Sequence, residues 1–383
     1  MSVVPGSIVR RALFWAHLCS GVAAGLIVLV LSVTGALLTY QRQILEVAER
    51  GNHVINSSGA SALSADQVAE FARAASTASQ SFNLVFDADP AAPVSVQRGR
   101  GTPILLDPYS GAVISDAAAA ARGFMRTIEN WHRWLGGSST STRASAVDIA
   151  NLLFLFMVIS GIYIWLPAVW RWRTLRGLLL FKSHYVNSRM RDFNWHHVFS
   201  AWMLIPLLLI ALSGVVMSFG WANQMLFAMY GEQPLQRGPE GGREARPPAP
   251  IADTQRASLD ALLATARAQA HDWQRLTIPV GATSQNVTVV AEMKSSDLRP
   301  PRQLVMLNSR DASLIRVSDP PVSTPGQRAR AWMRFVHTGE QYGVLGQTLA
   351  GLASVAACFL VYTGLALAFR RLILPLFRRA PDL

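Results

Sequence analysis

The chain has 383 residues, 51% of them apolar and 15% charged, with a formal net charge of +12. Its mean hydropathy is positive at +0.25, whereas a soluble chain carries about 25% charged residues. Long charge-free runs account for the difference, so the sequence describes a polytopic membrane protein and excludes a cytoplasmic enzyme or a nucleic-acid binder.

Four such runs appear in chain order: 12–41, 149–170, 193–231 and 341–369. Each contains the roughly 20 apolar residues that a bilayer-spanning helix needs. The first is about twice as long as a signal-peptide core and lacks a convincing cleavage site, so it is expected to be retained. Spans are expected at 1–41, 148–170, 195–220 and 341–370. Between them lie extramembranous segments 42–147 and 221–340, a cytoplasmic loop 171–194 and a tail 371–383.

Charge distribution orients the chain. Residues 1–11, 171–194 and 370–383 hold 12 basic and 2 acidic residues, whereas 41–148 and 219–340 hold 23 basic and 21 acidic. The positive-inside rule then places both termini in the cytoplasm and both large loops outside. The basic excess reports topology rather than a polyanionic partner. Cys19 and Cys358 both fall in spans at different depths, which excludes a disulfide framework or a CxxC redox pair.

The loops are similar to each other. Each begins a helix after a capping serine, Ser64 or Ser258, and continues into alternating strand-like runs, 83–86 and 94–97 in the first, 275–278 and 287–291 in the second. Each ends in a hairpin, 104–114 or 304–315, so each is expected to be a small α+β domain. The Gly-, Pro- and Arg-rich segment 238–250 is expected to be a flexible tether.

The spans repeat as well. His17 precedes Thr34-Gly35 by 17 and 18 residues, and His196 precedes Ser213-Gly214 by the same intervals. His132 and His337 stand just before the second and fourth spans, 28 and 26 residues ahead of Ser160-Gly161 and Thr363-Gly364. Two halves are implied, each built as span, outer domain, histidine and span. With the orientation above, His17 and His196 share the cytoplasmic side, and His132 and His337 the outer side.

Ionisable side chains in membrane segments are costly and mark functional sites. Two facing imidazoles at each surface are what bis-histidine haem ligation requires. Gly21, Gly136 and Ser200, each four residues after a histidine, are small enough on that helical face to clear a porphyrin. No CxxCH attachment sequence occurs, so the expected cofactors are two non-covalent b haems. His17 and His196 would ligate the inner iron, His132 and His337 the outer. Arg10, Arg11, Arg189 and Arg191 inside, and Arg126, Arg133, Arg330 and Arg334 outside, are placed to pair with propionates, although positive-inside placement explains the inner set equally well. His197 stays open as a second-sphere or substitute ligand, while His53, His184 and His271 lack repeat partners and read as surface residues. No nucleotide-binding glycine motif occurs, so electrons must come from a quinol, a flavin or a separate protein.

The ordered motifs His17-Leu-Cys-Ser-Gly21, His132-Arg-Trp-Leu-Gly136, Ser160-Gly161-Ile-Tyr-Ile-Trp165, Trp195-His196-His-Val and His337-Thr-Gly339, with the Thr-Gly and Ser-Gly pairs, resemble the PepSY-associated transmembrane family. The resemblance covers essentially the whole chain, departing at Ser200 where the motif usually has Gly. It implies an α-helical membrane protein with a four-helix transmembrane bundle built from two repeats and two small α+β PepSY-like periplasmic domains. It also implies an inner-membrane ferric-siderophore reductase, with the haems themselves as its only catalytic groups and a hydroxamate-type ferric siderophore as substrate. The alternative is a siderophore or metal permease using the histidines as a binding path. That reading expects broken helices, and apart from Pro206 the spans lack mid-span prolines and charges.

Overall fold

The computed structural model describes residues 5–56, 59–75, 81–99, 101–165, 171–234, 256–281, 284–295, 300–319 and 324–377. The 238–250 tether lies outside them. The chain divides into two compact units, one comprising 1–41, 123–234 and 324–383, the other 42–122 and 235–323.

The first unit is helical. Helix α1 (Pro5–Leu38) is followed by α2 (Gln41–Glu49) and α3 (Ala65–Ala74), which belong to the other unit. Helices α4 (Ala119–Trp134) and α5 (Thr142–Trp165) return the chain to the first unit, and α6 (Trp172–Leu179), α7 (Ser188–Trp202), α8 (Leu204–Ser218) and α9 (Gly220–Ala228) follow. After α10 (Leu259–Gln269) of the second unit come α11 (Pro325–Thr338), α12 (Gly343–Leu372) and α13 (Leu374–Phe377). Three helical stretches are long and apolar enough to cross a membrane, Ile8–Leu38, Thr142–Trp165 and Glu340–Phe377, and a fourth results if α7 and α8 count as one span.

That fourth span is not the continuous helix expected over 195–220. It starts earlier, at Ser188, so α7 takes in the end of the expected cytoplasmic loop, and it bends by 71° between α7 and α8. Met203 at the break has non-helical dihedrals of −100° and 10°. The cause is Pro206, which has no N–H to donate and whose ring crowds the carbonyl four residues back, that of Trp202.

Helices α4 and α11 carry the outer histidines near their C-termini and end alike. In α4 the helix stops at Trp134 and the chain turns through left-handed Leu135 and Gly136 (φ 48° and 75°). In α11, Gly339 is the left-handed cap at φ 79°. A Cβ on Gly339 would lie 2.6 Å from the Gly346 carbonyl oxygen, so only glycine permits this close approach to α12. At its start α11 has a complete capping box, Thr324 with Gln327, and proline in its first turn.

The second unit holds one eight-stranded antiparallel sheet of order β4-β3-β2-β1-β5-β6-β7-β8. Its strands are β1 (Phe82–Asp87), β2 (Val94–Gln97), β3 (Ile104–Leu106), β4 (Val113–Ile114), β5 (Trp273–Val280), β6 (Asn286–Met293), β7 (Arg302–Asn308) and β8 (Leu314–Ser318). The helix caps at Ser64 and Ser258 and both hairpins form where the pattern placed them.

The expectation of two separate small domains is corrected. β1 pairs with β5 along six residues, Leu84 opposite Ile278, so the two loops complete a single sheet over a single core. Each four-stranded meander alone would leave its first strand as an unpaired edge, and pairing the two edges satisfies those backbone groups. The helices on this sheet cap each other. The Asp66 carboxylate accepts the backbone N–H groups of Leu259 and Asp260, while that of Asp260 accepts those of Ala65 and Asp66.

Candidate cofactor site

Each of the four repeated histidines bonds through Nδ1 to a hydroxyl on a neighbouring helix of the helical unit. His17 on α1 meets Ser160 on α5 at 3.0 Å, and His132 on α4 meets Thr34 on α1 at 2.9 Å. His196 on α7 meets Thr363 on α12 at 2.9 Å, and His337 on α11 meets Ser213 on α8 at 3.1 Å. The first two bonds lie within one half of the chain and the last two within the other, crossed in the same sense.

The hydroxyl protons are already committed, which fixes the roles. Thr34 donates to the Val30 carbonyl at 2.6 Å, Ser213 to Leu209 at 2.6 Å, and Thr363 to Phe359 at 2.7 Å. These oxygens must therefore accept from Nδ1–H. His337 gives independent support, because its Nδ1 also lies 3.0 Å from the Ile210 carbonyl, which can only accept. With the proton on Nδ1, the neutral tautomer leaves the Nε2 lone pair available, the arrangement that an outer-sphere hydrogen bond imposes on a metal-binding imidazole.

The glycine after each hydroxyl residue makes room for the ring. A Cβ on Gly35 would lie 3.3 Å from Cε1 of His132, one on Gly161 3.5 Å from Cε1 of His17, and one on Gly364 3.5 Å from Cε1 of His196. Gly214 differs, since a Cβ there would meet the Asn151 amide at 2.7 Å. The Ser-Gly and Thr-Gly pairs thus form cradles for imidazoles arriving from another helix.

The outer histidines come together, with ring centroids 6.3 Å apart and planes at 65°. Two metal–nitrogen bonds of about 2 Å each, plus the half-widths of two rings, separate axial imidazoles of one ion by about 6 Å. Among the described residues no three His, Cys, Asp or Glu side chains gather round one point. The centre offers two imidazoles. On the other side, His17 and His196 sit in corresponding cradles, on Ser160 and Thr363.

His197 is anchored within its own helix. Its Nδ1 bonds the Phe193 carbonyl at 2.9 Å and its ring lies 4.2 Å from that of Phe193. His53 lies 3.7 Å from Asp89 on the other unit.

One expected clearance is corrected, that of Gly136. Gly136 stands beyond the end of α4, packed on Trp131, and serves as a helix terminator. Gly21 faces Met157, whose sulfur would lie 3.4 Å from an added Cβ. Ser200 turns back to bond the His196 carbonyl at 2.5 Å. The arginines are also engaged. Arg133 pairs with Glu129 at 3.0 Å and lies over Trp134, Arg334 lies over Phe335, and Arg330 bonds Asn223.

Sequence reasoning missed Asp192. Its fully buried carboxylate takes bonds from Arg191 at 2.9 Å and Arg370 at 2.6 Å, tying α7 to the C-terminal end of α12. A lone Asp in an arginine-rich loop segment was the available signal. Glu232 was also missed. It accepts the Gly326 N–H at 3.2 Å and bonds the Thr324 hydroxyl, holding the start of the His337 helix.

The sequence model of the PepSY-associated TM region matches residues 14–371. The chain belongs to this family. That match spans both units and all four histidine cradles, so the arrangement lies wholly within the family's own region. No curated protein matches the chain.

Proposed function

We propose that this membrane protein is an oxidoreductase of the inner membrane that holds two b haems between two structurally repeated halves. It passes electrons outward to a ferric siderophore and releases Fe(II). Both termini lie in the cytoplasm and the strand-rich unit lies in the periplasm. Within the family the motifs are similar to those of ferrioxamine-type reductases.

The observation that carries this reading is the set of four imidazoles, each anchored at Nδ1 by a hydroxyl of another helix, with the outer two facing at 6.3 Å. The residues fit a bis-imidazole haem. His132 and His337 would hold the outer group, His17 and His196 the inner. Each haem would supply reversible one-electron transfer at low-spin iron. The chain's own part is to fix four ring orientations, to keep Nε2 unprotonated, and to surround the centres with apolar helix faces that exclude water. Arg133 and Arg334, close to the outer ligands in sequence, would pair with the propionates of the outer group. Hard oxygen chelators hold Fe(III) more tightly than Fe(II), so one electron per ion weakens the chelate and frees the metal.

The bend at Met203 is the feature that favours a permease, because transporters build substrate sites at discontinuous helices. Purified protein in proteoliposomes separates the two readings. Supplied with a reduced short-chain quinol as electron donor, a reductase converts ferrioxamine to Fe(II), trapped by an Fe(II)-specific chelator, without moving the siderophore. A permease accumulates intact ferrioxamine and yields no Fe(II).

A further inference from the structure

An open apolar groove of about 540 Å³ runs along α12 between the levels of the two histidine pairs. Its walls include Val33 and Leu37 of α1, Trp195 of α7, and Val355, Phe359 and Tyr362 of α12. Ser354, just before it, touches Gly35 beside His132, and Thr363, just after it, bonds His196. The α12 segment from Val355 to Tyr362 is about 10 Å long at 1.5 Å per residue, the length of a substituted ring and its first prenyl unit.

The lining is not that of a plain acyl-chain furrow. Trp195 and Phe359 meet edge to face at 6.0 Å, giving an aromatic wall next in sequence to His196. At one end the Tyr362 hydroxyl receives a bond from Arg191 at 3.4 Å, which leaves its own proton free to donate. Arg191 is held in turn by Asp192 and lies 5.3 Å over the Trp195 ring. An apolar, ring-lined groove inside the bilayer, with one hydroxyl donor at its end, matches a flat lipid-soluble molecule bearing ring oxygens.

We propose that this groove binds the ring of a membrane quinol, packed against the Trp195 and Phe359 wall with a ring oxygen on the Tyr362 hydroxyl, and that this quinol is the electron donor. This rests on the reductase reading above. In the balanced reaction one quinol loses two electrons and two protons to become the quinone. Two chelated Fe(III) ions each gain one electron, and the two protons pass to water.

The test uses the full chain in phosphatidylethanolamine–phosphatidylglycerol vesicles with an azido-substituted short-chain ubiquinone as photolabel. Label is expected on 355–362 and 33–37, displaced by excess decylubiquinone. Val355→Trp should cut labelling by at least about fivefold at unchanged haem content. Tyr362→Phe, which removes one hydroxyl, should weaken decylubiquinone competition about fivefold, as expected for one net hydrogen bond. Label that decylubiquinone does not displace marks a lipid acyl-chain groove and overturns the proposal, as does wild-type labelling in both variants. The two readings fail separately. Haem-loaded protein without displaceable label removes the quinol site alone, whereas colourless protein that still labels removes the donor role together with the reductase.

Discussion

Replacing Thr34 by valine isolates one anchor while keeping the side chain's shape. The Thr34 oxygen accepts from His132 Nδ1 at 2.9 Å because its own proton goes to Val30 at 2.6 Å. Valine leaves that N–H without its hydroxyl partner, at a cost of about 1–3 kcal/mol for a buried donor. His132 keeps a backbone contact at Leu31, so the lower half applies, about 1.4 kcal/mol, or about tenfold. That matches the 10–100-fold loss of affinity typical of a removed outer-sphere partner. The assay is the rate of haem loss to excess apomyoglobin, followed by absorbance. Thr34→Val should release one of two haems about tenfold faster, while Thr34→Ser, which keeps the hydroxyl, should match wild type. Equal release from Thr34→Val and wild type would refute the claim that this hydroxyl anchors an iron ligand.

Replacing His132 or His337 by alanine should remove about half the haem absorbance and abolish ferrioxamine reduction; full activity in either variant contradicts the ligand assignment. Glu232→Gln keeps an acceptor but removes the charge at the start of α11, costing about 0.5–1 kcal/mol, and hydrogen exchange in α11 should rise about threefold. Asp192→Asn leaves Arg191 and Arg370 facing each other without their buried counter-charge, about 3 kcal/mol, and should lower the thermal midpoint in detergent by several degrees. Burial raises the Asp116 carboxyl, but hydrogen bonds from Arg122, Asn52 and the Ala118 N–H outweigh it and hold the group below its ordinary range. Its contribution is therefore present above about pH 4 and lost as pH falls through the lower folded value. The difference in thermal midpoint between wild type and Asp116→Asn should shrink on acidification below about pH 4.

The four histidines, the helix caps at Ser64 and Ser258 and the strand runs were legible because each leaves a local mark in the sequence. Partnerships between distant segments were not. His17 and Thr34 recur at a fixed interval, yet 17 residues of helix separate them by about 26 Å, so the interval marks a repeat and not a contact. The contact is crossed, His17 to Ser160 and His132 to Thr34, and only antiparallel packing of α1 with α5 reveals it. The four-residue spacing from His132 suits Gly136 to ring clearance only in a continuous helix, whereas α4 stops two residues earlier. The single sheet depends on β1 finding β5 about 190 residues away, a pairing that neither loop encodes alone. Pro206 marks the break in the sequence, but the size of the bend, 71°, is read only from the folded chain.

The most direct measurement is the haem content of the purified full-length protein, taken from its pyridine haemochrome spectrum and referred to protein concentration by amino-acid analysis. With the four anchored imidazoles as ligands in two pairs, about two b-type haems per chain are expected, falling to about one in His17→Ala and in His337→Ala. Protein that carries no haem, or that keeps both haems when either histidine is removed, contradicts the account.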